Sequence, residues 1–117
     1  VSGLAEVEPL ALVETTPLMR APSYSSSAVS IIVVNAQAAM EKGNYQVAAA
    51  QLERAVRIEP RNALLWHYLA RVRFNQGRYS LAANLASKST LLARGDQALR
   101  SSNATLIKQA QAAFTTR

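Results

Sequence analysis

Apolar residues recur at helical spacing in five stretches between residues 29 and 114, and the breaks between them carry Gly, Pro, Asn or Asp. The spacing predicts a first helix over 29–42. Its β-branched run Ile31, Ile32, Val33 and Val34 favours a strand when taken alone, but it flows without a break into the strong helix former NAQAAMEK. Gly43 is placed to end that helix in a left-handed conformation. A second helix is predicted over 46–59, with Val47, Ala50, Leu52, Ala55, Val56 and Ile58 as its apolar positions, and Pro60 stops it. Asn62 is expected to cap a third helix over 63–76, whose packed side carries Leu65, Trp66, Leu69, Ala70 and Val72. Gly77 separates it from a fourth helix over 80–93, and Gly95 and Asp96 introduce a fifth over 97–114 with Leu99, Leu106, Ile107 and Ala110 apolar.

These helices are not five independent elements. Sliding the chain on itself by 34 residues pairs Ala36 with Ala70, Gly43 with Gly77, Tyr45 with Tyr79, Ala48 with Ala82 and Ala49 with Ala83. Conservative pairs such as Val47 with Leu81 and Ile58 with Leu92 fill in around them. A period of that size marks an array of stacked helical hairpins. The units are residues 29–62 and 63–96, followed by a terminal helix over 97–114 whose polar outer face suits it to cover the open end of the stack.

Residues 1–27 lack either periodicity. Pro9, Pro17 and Pro22 interrupt them and Ser25–Ser27 close them, so they read as a disordered linker ahead of a folded domain over 28–117. Fully extended, such a linker reaches roughly 90 Å at about 3.3 Å per residue. It is not a pure spacer, because Leu10, Leu12, Val13 and Leu18 give it apolar content that can dock on the domain or on a partner.

Composition narrows the chemistry. The 117 residues include no cysteine and one histidine, so neither thiol chemistry nor a zinc constellation can be assembled, and no metal or other cofactor is expected. No Ser-His-Asp set, paired carboxylates or phosphate loop is present, and the chain is not expected to be an enzyme. Asn103-Ala104-Thr105 fits a glycosylation pattern but falls inside a predicted helix. Charge is divided along the chain. Glu6, Glu8 and Glu14 against Arg20 make residues 1–28 net −2, whereas twelve Lys and Arg against four acids make residues 29–117 net +8. A basic body favours acidic partners.

The paired units resemble the tetratricopeptide repeat family. The second matches its pattern at Trp66, Leu69, Ala70, Ala82 and Ala86, and the first at Ala36, Ala48, Leu52, Ala55 and Pro60. Gly43 with Tyr45, and Gly77 with Tyr79, match the turn within each hairpin. Ile32, Asn35, Arg73 and Arg94 depart from the pattern, and Arg73 is expected to lay its stem on the core and send its head to water. The resemblance implies an all-α fold, a right-handed α-solenoid of two tetratricopeptide hairpins plus a C-terminal capping helix. It also implies a concave groove, lined by the first helix of each hairpin, that receives a protein partner. Carried over by position, that groove presents Gln37, Met40 and Glu41, then Leu64, His67, Arg71, Phe74 and Asn75, and finally Thr105, Lys108 and Gln109. Family members that grip a C-terminal acidic peptide need Lys and Asn where this chain has Val33 and Gln37, so a chaperone-tail receptor is not expected. Arg71 suits bidentate capture of a carboxylate, and His67 is read as a surface polar residue of the groove. Replacing either with Ala is expected to weaken binding with little change in stability.

Linker followed by two repeats and a cap is the layout of small periplasmic tetratricopeptide lipoproteins. Within these the chain resembles outer-membrane lipoprotein activators of class A penicillin-binding proteins. The expected protein is then a monomeric, non-catalytic regulator of peptidoglycan synthesis in the cell wall, whose partner is such a synthase. It would sit in the periplasm, anchored to the outer membrane through a lipidated cysteine upstream of Val1. Two other classes compete with this reading. A pilotin-like or scaffold repeat protein would bind a subunit of a secretion or pilus machine. An electrostatic binder of nucleic acid or peptidoglycan would lose affinity steeply with salt, and the scarcity of aromatic residues disfavours nucleic acid as a partner.

Overall fold

The computed structural model describes residues 26–116, and the linker expected over 1–27 lies almost entirely outside the described residues. Five helices follow in order: α1 (Ser27–Glu41), α2 (Tyr45–Ile58), α3 (Ala63–Asn75), α4 (Tyr79–Leu92) and α5 (Gln97–Thr115). No strand occurs among the described residues. Helix α1 begins two residues before its first apolar position because Ser26 caps it, the hydroxyl accepting from the Val29 amide at 3.2 Å. The Ser26 amide in turn donates to Glu59 at 2.9 Å, which ties the start of α1 to the end of α2.

The hairpin turns are built identically. At the first, the Gly43 amide donates to Met40 and the Asn44 amide to Ala39; at the second, Gly77 donates to Phe74 and Arg78 to Arg73. These are the paired bonds of a Schellman motif, and they satisfy carbonyls that the helix end leaves orphaned. Both glycines have positive φ, 75° and 78°, and a Cβ on either would meet nothing within 4 Å. Backbone conformation alone therefore demands glycine there.

Each helix packs on its successor, and α3 also touches α5. The main core lies where α1, α2 and α3 meet and is filled by Ile32, Val33, Ala36, Ala48, Leu52 and Leu65 among others. Smaller apolar clusters join α3 to α4 and α5, one around Ala63, Ala93 and Leu99, the other around Ala70, Ala86 and Leu106. Alanines at the crossings let the helices approach closely, which explains a half-apolar chain with so few aromatic residues.

Several details differ from expectation. Helix α2 buries Ala48, Ala49, Leu52, Ala55 and Val56, while Val47, Ala50 and Ile58 face outward. Asn62 stands at the N-terminus of α3 but makes no side-chain cap; its Nδ2 donates to Glu59 at 2.9 Å. Asp96 does cap α5, accepting from the Leu99 amide at 3.0 Å. The head of Arg73 does not go to water. It reaches across to pair with Glu53 on α2 and donates to Gln76 at 2.9 Å, and its Nε is buried without a partner.

Candidate functional site

Helix α5 presents a buried stripe of Leu99, Asn103, Leu106 and Ala110 to α3 and α4, at the three- and four-residue steps of a helix face. Asn103 is thus a polar residue set in an apolar stripe, and it is completely buried. A bare amide there would be costly, and the fold satisfies it on both sides. His67 on α3 donates from Nδ1 to Asn103 Oδ1 at 2.7 Å, since an amide oxygen can only accept. Asn103 Nδ2 donates to Ser89 Oγ on α4 at 2.8 Å, and Ser89 donates to the Ala63 carbonyl of α3 at 2.8 Å. The bonds run from α3 to α5, to α4 and back to α3, so they fix the capping helix against both partners. This burial also closes Asn103 to glycosylation.

His67 is therefore not the surface residue that the sequence suggested. It is 9% exposed, and burial pushes its pKa below the usual 6.5, with Arg71 lowering it further and the bond to Asn103 acting in the opposite sense. The neutral ring is favoured, with Nδ1 protonated. Removing the side chain would take the donor from the buried Asn103 Oδ1, so His67→Ala is expected to cost stability as well as binding.

One edge of this network opens on a shallow cleft of about 280 Å³ between α3 and α5. His67, Arg71, Ser102, Thr105, Leu106 and Gln109 line it. Four residues expected in the groove, His67, Arg71, Thr105 and Gln109, thus come together. The Arg71 guanidinium lies 5.9 Å from the centre of the Tyr68 ring, and burial lowers its pKa below the usual guanidinium value; arginine nonetheless stays charged in proteins. An arginine, two hydroxyls and an amide around a partly apolar floor can bind an anionic group such as a carboxylate by directed hydrogen bonds.

The other expected groove residues do not line this cleft. Gln37 and Glu41 are bonded to each other along α1 at 2.9 Å, and Met40 packs against the main core. Leu64 is wedged against two core clusters, and Phe74 packs beside Ala70 while meeting the Tyr79 ring edge-on at 5.2 Å between centroids. Asn75 and Lys108 are exposed. Trp66 fills a hairpin position, donating to the Pro60 carbonyl at 2.8 Å with Lys88 over its ring.

A buried role for Asn103 and Ser89 was not legible in their local sequence, yet the 34-residue register carried its signal. One repeat upstream of His67, Ser89 and Asn103 stand Val33, Ala55 and Leu69, all buried in the main core. Three apolar positions become polar together in the next unit. That coincidence marks a polar network.

Stacked hairpins of this geometry, closed by a capping helix and presenting a polar cleft, define a helical-repeat protein-interaction module. The tetratricopeptide repeat profile matches residues 39–106, and the chain belongs to that family. The fold is also similar to the globular C-terminal domain of Pseudomonas aeruginosa LpoP. The TM-score is 0.75 and the identity 34%, over 78% of this chain and 86% of that domain. No curated protein matches.

Proposed function

We propose that this chain is the interaction domain of a tethered outer-membrane lipoprotein that binds and activates a class A penicillin-binding protein, and that the α3–α5 cleft is its contact surface. The observation that carries the reading is the likeness to the LpoP domain, which extends over most of both chains at an identity well above that of fold similarity alone. The resemblance of the sequence to lipoprotein activators of such synthases points the same way. Among the described residues no helix is long and apolar enough to cross a membrane, so attachment in this reading comes from a lipid rather than from the folded body.

The cleft offers Arg71 as the fixed cation, Thr105 and Gln109 as adaptable donors, and His67 as a wall held in place by Asn103. The remaining groove positions, Gln37, Met40, Glu41, Leu64, Phe74, Asn75 and Lys108, form the surroundings over which a larger partner surface spreads. Binding to a panel of purified class A synthases, measured with the chain immobilised, tests the reading. Saturable binding to at least one synthase, lost in Arg71→Ala, is the expected result. Retention of no synthase overturns it.

A further inference from the structure

The face of α5 turned away from the cleft forms a second groove with α4. The two helices run antiparallel, and hollows of about 540 Å³ and 240 Å³ lie along their seam, one near the C-terminal half of α4 and one near its N-terminal half. Small residues such as Ala83, Ser87 and Ala104 line it, so an incoming chain can approach the backbone closely. Large apolar side chains stand beside it unburied: Leu91 is 74% and Phe114 54% exposed. Between Tyr79 and Thr116 the chain carries Lys88, Arg94, Arg100 and Lys108 against one acid, Asp96, whose carboxylate already caps α5. The groove therefore mixes exposed apolar side chains with small polar ones, and Arg100 is the cation that lines it.

A segment of the same chain has the complementary character. Residues 4–18 contain Glu6, Glu8 and Glu14 with no Lys or Arg, interleaved with Leu4, Val7, Leu10, Leu12, Val13 and Leu18. We propose that residues 4–18 dock in the α4–α5 groove, apolar side chains in the hollows and carboxylates toward Arg100 and Lys108. Length permits it: eight residues separate Leu18 from Ser26, a reach of about 26 Å at 3.3 Å per residue. Ser26 is bonded to Glu59 at the end of the stack where Ala63 meets Ala93 and Leu99, the end that holds the larger hollow. Charge selects this surface over the other exposed apolar one, where Ile31 and Val34 of α1 are 61% and 64% exposed. From Ser27 to Glu59, Lys42, Arg54 and Arg57 are matched in number by Glu41, Glu53 and Glu59, so that surface carries no net charge to attract an acidic segment.

Docking would set the length of the tether. With residues 4–18 held, only residues 19–25 span freely from groove to domain, about 23 Å, against about 83 Å for twenty-five released residues. The inference stands apart from the synthase reading, because it concerns the chain alone.

The absence of native cysteine makes the test direct. Ala11→Cys in the full chain carries a nitroxide, and paramagnetic broadening of backbone amide signals is recorded. Loss of the Ser87, Leu91 and Ala104 signals is expected, with recovery in high salt and in the Arg100→Glu, Lys108→Glu double variant. Broadening confined to Ile31 and Val34, no broadening of any helix, or broadening seen only between separately labelled copies would each overturn the proposal.

Discussion

The Nδ1 of His67 lies 2.7 Å from the Oδ1 of Asn103, thirty-six residues later in the chain, and both side chains are buried. At the equivalent place in the preceding interface, Val33 and Leu69 belong to one buried apolar cluster. One architecture thus seats the same crossing in two chemistries.

Single and combined substitutions should therefore behave oppositely. Asn103→Leu takes the acceptor from His67 Nδ1 and the donor from Ser89 Oγ, and is expected to cost about 2–3 kcal/mol, lowering Tm by about 10 °C or more for a domain of this size. The triple variant His67→Val, Ser89→Ala, Asn103→Leu copies the first interface and should recover most of that loss, because no buried polar side chain is left unpaired. Thermal and urea denaturation of the native chain and these two variants measures both effects. A triple variant less stable than Asn103→Leu would show that the network itself is indispensable to packing.

His67 also gives stability a pH dependence. Its folded pKa lies below the unfolded value of 6.5, so the unfolded chain binds the proton more readily. The contribution of the neutral ring is complete above pH 6.5 and is lost as pH falls through the lowered folded value. Stability should decline from pH 7 toward pH 5, and His67→Gln, which keeps an N–H for Asn103 without titrating, should flatten that decline. Urea midpoints across this range decide it; an unchanged slope in the Gln variant would assign the decline to the carboxylates.

Arg71 carries the binding prediction. Arg71→Ala should weaken capture of a carboxylate-bearing partner at least tenfold, since hydrogen bonds to a charged group contribute about 1.5–3 kcal/mol. Arg71→Lys should not restore it, because an ammonium cannot reproduce the planar fork. Calorimetric titration with the partner reads the change, and circular dichroism confirms that the helices remain.

The Arg73–Glu53 pair belongs to the fold rather than to the cleft. Arg73 is only 13% exposed at its side chain, and Glu53 43%. Glu53→Ala is expected to cost about 1 kcal/mol, since one partner remains half in water. The double variant Glu53→Ala, Arg73→Met should be no less stable than Glu53→Ala, which a double-mutant cycle measures.

The helices, their order and their stops were readable because spacing, glycine and proline agree locally with the global stack. What stayed hidden was side-chain direction at polar positions. His67 looks like a groove residue by its place on the first helix of a hairpin. Its burial depends on Asn103, whose own position in the stripe of α5 shows only when the apolar residues on either side are known to face inward. Arg73 reads as a snorkelling side chain until Glu53, twenty residues earlier, is brought beside it. Asn62 sits where a cap belongs, but Glu59 draws its amide away. In each case the deciding partner is on another element or is a competing neighbour. The 34-residue register was the one signal that spanned such distances.

The proposed activation of a class A peptidoglycan synthase through the α3–α5 cleft is tested most directly by adding the purified full chain to such a synthase and following glycan polymerisation and peptide crosslinking together. Stimulation by the native chain, lost with Arg71→Ala and retained with Glu53→Ala, is the predicted result. Unchanged synthase rates at saturating chain, or equal stimulation by the Arg71 variant, would contradict it.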